Sequence, residues 1–168
     1  MTLLITKQVE SGKEGYETQP FEFTVNIPSQ AGKGEVTAIK YKLDNDNGEK
    51  WLPLYNDDGD PVIEPISFNG EGTATFSLTH DEGLMFFCLN DGEVVTVKET
   101  LTVDQLKDDY RLENVQDESG SSLEAQFDHS NRSYTVTKTI KTTDNNNDPV
   151  LNELHWLNKT FPICERSG

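Results

Sequence analysis

The sequence predicts an all-β fold, a sandwich or barrel of short strands. Apolar residues recur at alternate positions in short runs, turn residues bound those runs, and helical periodicity is nearly absent. Many short strands with turn signals between them are the pattern of such folds.

Leu3-Leu4-Ile5-Thr6-Lys7 opens the chain with a strand pattern. Phe21 to Ile27 alternates cleanly and stops at Pro28, which has no N–H to continue a ladder. Val36 to Leu43 alternates more loosely. Asn69-Gly70-Glu71-Gly72 is a turn, and Thr73 to Leu78 alternates after it. Asn90-Asp91-Gly92 is a hairpin cue ahead of the strand Val94 to Thr100. Thr102 to Asp109 supplies a turn or two of helix, with Thr102 as its cap, placed as a crossover element between strands. Tyr134 to Lys141 is rich in Thr and Val and runs into the loop Asp144 to Pro149. A last strand covers Leu151 to Thr160. The polar stretch Asp44 to Asp60, which holds Trp51 and Tyr55, reads as a long decorated hairpin or insertion. No internal repeat or linker divides the chain, so residues 1–168 are expected to form a single domain.

The formal net charge of −16 argues against nucleic acid or anionic lipid as a partner, because phosphate contacts need clustered Lys and Arg. It is the charge of a solvated, self-repelling surface. No apolar run reaches the length of a membrane span, so no membrane insertion is expected. Met1-Thr2 leads straight into a strand pattern without a secretion signal, as in a cytosolic chain or a mature fragment. Cys88 and Cys164 have no metal-ligand spacing. They can pair in an oxidising compartment, although Cys88, within the apolar run Leu84 to Leu89, is expected to be a small buried side chain.

Three distant segments each place a polar residue in phase with apolar ones. Leu3 and Ile5 share a strand face with Lys7, Val95 and Val97 with Glu99, and Leu154 and Trp156 with Asn158. Lys7, Glu99 and Asn158 are therefore all expected to face a core. A lone buried amine, carboxyl or carboxamide is costly. Three of them directed into one core are expected to meet, and together those groups can react.

In their order along the chain these segments resemble the Cna B-type, reverse immunoglobulin-like domains of Gram-positive surface proteins and pilins. The first strand of that family carries a lysine in a Leu-x-Ile-x-Lys context, here Leu3 to Lys7. A middle strand carries Val-x-Glu, here Val97-Lys98-Glu99, and the last an aromatic-x-Asn motif, here Trp156-Leu157-Asn158. Phe21-Glu22-Phe23-Thr24-Val25 and the stretch from Phe76 to Gly92 are also similar. The resemblance implies an immunoglobulin-like β-sandwich from a cell-wall-attached or pilus protein outside the cell. It further implies a spontaneous isopeptide bond in which Lys7 attacks the Asn158 carbonyl and Glu99 assists. The region 29–67 is longer than the family pattern and is expected to be an insertion. The chain has neither a Leu-Pro-x-Thr-Gly sorting signal nor a Tyr-Pro-Lys pilin motif, which favours a stalk domain or a minor, tip or basal pilin over a polymerising shaft subunit.

The chemistry of that site is plain. An ammonium is not a nucleophile, and an apolar pocket disfavours charge, so amine and carboxyl can both sit neutral by passing a proton. The neutral acid polarises the carboxamide carbonyl while the fold supplies proximity. The reaction is single-turnover, and no motif of a conventional enzyme accompanies it. A binding module is the alternative. In it, Trp51 and Tyr55 on the 29–67 insertion contact a host extracellular protein or glycan. The partners otherwise expected are neighbouring domains or pilus subunits. No cofactor or metal is expected. The Asp/Asn-rich stretches at 44–49 and 56–60 lack EF-hand spacing and read as turns rather than calcium loops. His80, His129 and His155 are isolated, and His155 points away from the Trp156 face.

Overall fold

A computed structural model describes residues 1–46 and 48–161. In chain order its strands are β1 (Leu3–Glu10), β2 (Phe21–Asn26), β3 (Gly34–Asp44), β4 (Lys50–Pro53), β5 (Ile63–Phe68), β6 (Thr73–Leu78), β7 (Glu82–Phe86) and β8 (Val94–Thr100). The short helix α1 (Val103–Lys107) follows, then β9 (Tyr110–Asp117), β10 (Gln126–Asp128), β11 (Ser133–Thr139) and β12 (Asn152–Thr160). They form an immunoglobulin-like sandwich. One sheet of seven strands runs β4-β3-β7-β1-β12-β9, with β5 also on β3. The other, of five strands, runs β10-β11-β8-β2-β6.

The alternation places one face of each strand in the core. Leu3, Ile5, Leu154 and Trp156 from the first sheet meet Phe21, Phe23, Val25, Val95 and Val97 from the second, all essentially inaccessible. Phe23 joins the layers, edge-on to Trp156 at 5.3 Å and stacked on Phe76 at 5.6 Å. β1 and β12, the first and last strands, are parallel neighbours inside the larger sheet, between β7 and β9, from Leu3↔Asn152 to Glu10↔Lys159.

Local chemistry explains the connections. α1 has a full capping box between Thr102 and Gln105, as its Thr102 cap foretold. Four turns share one design. The side-chain oxygens of Asn56, Asn69, Asp117 and Asp144 each accept two backbone N–H groups, two and four residues on. The residue three on has positive φ in every case: Gly59, Gly72, Gly120 and Asn147. These polar clusters are spent on their own backbones. Among the described residues no group of acidic, His or Cys side chains is placed to hold a metal ion.

Several expectations are corrected. Cys88 is exposed, not buried, because β7 ends at Phe86 and the chain then turns through φ +64° at Cys88. Cys164, its suggested partner, lies outside the described residues. Asn90-Asp91-Gly92 does not close a hairpin: β7 and β8 belong to opposite sheets, and the turn carries the chain between them. The region 29–67, expected as an insertion, is built into the larger sheet. It supplies β3, β4 and β5, and β3 pairs directly with β7 from Ile39↔Met85 to Lys42↔Glu82.

Candidate functional site

Lys7, Glu99 and Asn158 come from three strands and two sheets, and all three are 0 % exposed. Lys7 Nζ donates to Glu99 Oε2 at 2.5 Å and also to Asn158 Oδ1. Asn158 Nδ2 donates to Glu99 Oε1 at 2.9 Å, which closes the triangle. The carboxyl thus holds both the amine and the carboxamide, and the amine lies against the carbonyl side of the carboxamide.

The walls are aromatic. The Phe21 ring lies under Lys7 Nζ, 4.1 Å from nitrogen to centroid, and Phe23 is at 5.8 Å. Burial lowers the Lys7 pKa from 10.5 to about 8, while the adjacent Glu99 pulls it back upward. At that value roughly a tenth of the amine is neutral at pH 7. A β-bulge in the β12–β9 ladder falls between Leu157 and Asn158, where Asn158 pairs with Leu112 and Glu113 is skipped. Bulges re-aim the side chains beside them.

The arrangement contains the parts of an amide transfer. An amine whose charged form burial disfavours stands at a carboxamide, a carboxyl spans both, and water is kept out. The other buried lysine makes a useful contrast. Lys138, 6 % exposed, pairs with Glu118 at 2.8 Å. The nearby buried carboxamide of Asn152 is instead occupied by the Lys141 backbone through both its oxygen and its nitrogen.

The opposite face of β1 and β12 has its own tie. Thr6 Oγ1 and His155 Nδ1 are 2.6 Å apart, and His155 Nε2 lies 2.8 Å from Glu153 Oε1. Thr6 is only 1 % exposed, so this group fastens two strands rather than presenting a nucleophile. Trp51, on a strand rather than a loop, stacks on His155 at 6.2 Å. Tyr55, beyond the end of β4, is 57 % exposed. The structure therefore separates Trp51, half-buried on the sheet, from the outward Tyr55.

The sequence reading did not name Phe21 or Phe23 as part of the site. The signal was present. Phe21 and Phe23 share the core phase of β2 with Val25.

The chain belongs to the family described as "Domain of unknown function (DUF7601)", which matches residues 1–153. That span includes Lys7 and Glu99 and stops short of Asn158. Among solved structures, the chain is similar to a variant of the major pilin from Streptococcus pyogenes, at 16% identity and a TM-score of 0.52, over 95% of this chain and 47% of that one. A pilus-presented adhesin, Cpa, matches at 22% identity and a TM-score of 0.49, over 96% of this chain and 28% of that one. The chain thus spans about half the length of the pilin. No curated protein matches it. The fold is that of Cna B-type, pilin-like immunoglobulin domains.

Proposed function

We propose that this chain is a structural module of a Gram-positive cell-surface or pilus protein, a single domain over residues 1–168, locked by an isopeptide bond between Lys7 and Asn158. The observation that carries the reading is the closed, fully buried triangle of amine, carboxyl and carboxamide. Glu99 takes the ammonium proton, and neutral Nζ attacks Cγ of Asn158. The Nζ–Cγ bond forms and the Cγ–Nδ2 bond breaks. Glu99 passes that proton to the leaving nitrogen, which departs as ammonia, and accepts the second proton of Nζ, so the amide forms neutral and Glu99 ends as the neutral acid. No external reactant is needed, and each molecule reacts once.

The strand order gives the bond a mechanical use. Because β1 and β12 are parallel, the start of β1 and the end of β12 lie at opposite ends of the sheet. Tension between those ends shears one strand along the other. A bond between residues 151 apart carries that load past nearly the whole fold. It also removes about 5 kcal/mol of unfolded-chain entropy, by analogy with a disulfide closing a loop of that size. Neighbouring domains or pilus subunits would supply the tension. Proteolysis followed by tandem mass spectrometry tests the bond: one branched peptide should contain both Lys7 and Asn158, and recovery of only separate linear peptides would reject it.

A second reading, an adhesin contact for a host protein or glycan, is favoured by one observation. Leu52, Tyr55 and Ile63 are apolar side chains 40–59 % exposed along β4, β5 and their connection. Tyr55→Ser should abolish binding to host matrix if that surface is used, and unchanged binding removes the reading.

A further inference from the structure

One row of side chains crosses the inner face of the smaller sheet. Phe76 on β6, Phe23 on β2, Glu99 on β8, Tyr134 on β11 and Phe127 on β10 each stand opposite the next. Glu99 is the one carboxylate in a line of rings. Its two flanks differ. Phe23 is 0 % exposed, whereas Tyr134 is half-buried and the Phe127 beyond it is 40 % exposed. The aqueous approach to Glu99 along this row is therefore from the Tyr134 side.

Tyr134 is fixed across that approach. Its ring packs on Phe127 at 4.6 Å, and Phe127 is met in turn by His129 at 4.6 Å. Its hydroxyl stands against the backbone amide of Leu112, on β9 of the opposite sheet. Leu112 is the register partner of Asn158. The side chain thus spans from the neighbour of Glu99 to the neighbour of Asn158.

We propose that Tyr134 is a positioning residue for the Lys7–Asn158 reaction, a shutter that keeps water from Glu99 and the amine. The inference rests on the reaction proposed above. Desolvation frees the amine of its proton, so whatever excludes water sets the pH at which the lysine becomes nucleophilic. Few other groups can set it. From β8 the amine faces Glu99, from β12 the uncharged Asn158, and from β2 only Phe21 and Phe23. Glu82, opposite Lys7 on β7, gives its carboxylate to the Thr79 amide at 2.8 Å and lies 3.7 Å from Lys40. Arg111 on β9 donates to the Leu106 and Tyr110 carbonyls.

The experiment starts from full-length chain prepared unfolded and unlinked by chemical synthesis in denaturant, and follows ammonia loss by intact mass while it first folds, across a pH series, for wild type, Tyr134→Phe, Tyr134→Leu and Tyr134→Ala. Tyr134→Phe keeps the ring and should react within about twofold of wild type. Tyr134→Ala should react roughly tenfold more slowly at neutral pH, with its rate–pH curve displaced upward by about one unit, so that raising the pH restores the rate. Tyr134→Leu should be displaced in the same direction, and it decides the matter if the alanine variant does not fold. A reacting wild type with an unshifted curve in the folded leucine or alanine variant overturns the shutter alone. A slowing that is equal at every pH also overturns it, since that marks general loosening. A wild type that loses no ammonia overturns the underlying reaction as well.

Discussion

Asn158 stands opposite Val9 in the β1–β12 ladder, while Lys7 is paired with Trp156. The amine therefore reaches its carboxamide diagonally, two residues along the neighbouring strand, a step of about 6–7 Å. A lysine stem covers that distance, and a shorter side chain would not. Both residues keep the inward phase of their strands, so the fold brings them together without departing from regular pairing until the bulge at Asn158.

Glu99 holds both reactants, so Glu99→Gln keeps the shape of the site but removes the group that moves protons. The variant should fold and retain the full sequence mass. Without the cross-link its unfolding free energy should fall by about 5 kcal/mol, which lowers the melting temperature by roughly 10–20 °C for a chain of this size. Calorimetry beside the linked wild type reads this directly, and equal melting temperatures would show that no stabilising bond exists.

The pH dependence follows from the Lys7 pKa of about 8 in the folded, unlinked chain, against 10.5 when exposed. Bond formation should accelerate about tenfold per unit below pH 8 and level off above it, as the neutral amine accumulates. Stability has a separate sign. Between about pH 8 and 10.5 the unfolded lysine holds a proton that the folded one has lost, so the unfolded state binds more protons. The unlinked Asn158→Ala chain should therefore gain stability across that window, on the order of 2 kcal/mol. The linked protein, which has no Lys7 amine to titrate, should not. Urea unfolding at stepped pH separates the two.

Gly72 tests the fold independently of the chemistry. Its φ is +78°, and a Cβ there would come within 2.4 Å of the Ile27 carbonyl oxygen, a backbone atom that cannot swing aside. Gly72→Ala should cost about 2–3 kcal/mol through strain and displacement of the β5–β6 turn. The measurement is thermal unfolding of the variant, whose intact mass should show the same linkage as wild type.

Much of this was legible in the sequence because alternation reports which way a side chain faces. The inward direction of Lys7, Glu99 and Asn158 came from Leu3 and Ile5, Val95 and Val97, and Leu154 and Trp156, and each of these is buried. β9 was missed for a physical reason. Tyr110 and Leu112 keep one phase, the bulge skips Glu113, and Val115 then falls in the other phase, so period two is broken inside the strand. β7 was missed because Gly83 to Phe86 are buried on both faces, where alternation disappears, and Leu84-Met85-Phe86 merges into the apolar run that continues to Leu89. The supposed hairpin at Asn90 failed because turn residues specify a reversal and leave open which sheet the next strand joins. The row that sets Tyr134 beside Glu99 depends on the pairing of β8 with β11, a non-local fact that no segment contains.

The most direct measurement is the intact mass of the folded, purified chain, read against Lys7→Arg, whose guanidinium stays charged. Wild type should be lighter than its sequence mass by one ammonia, and the arginine variant should not. A folded wild type that weighs the same as its sequence would contradict the bond on which the proposed function stands.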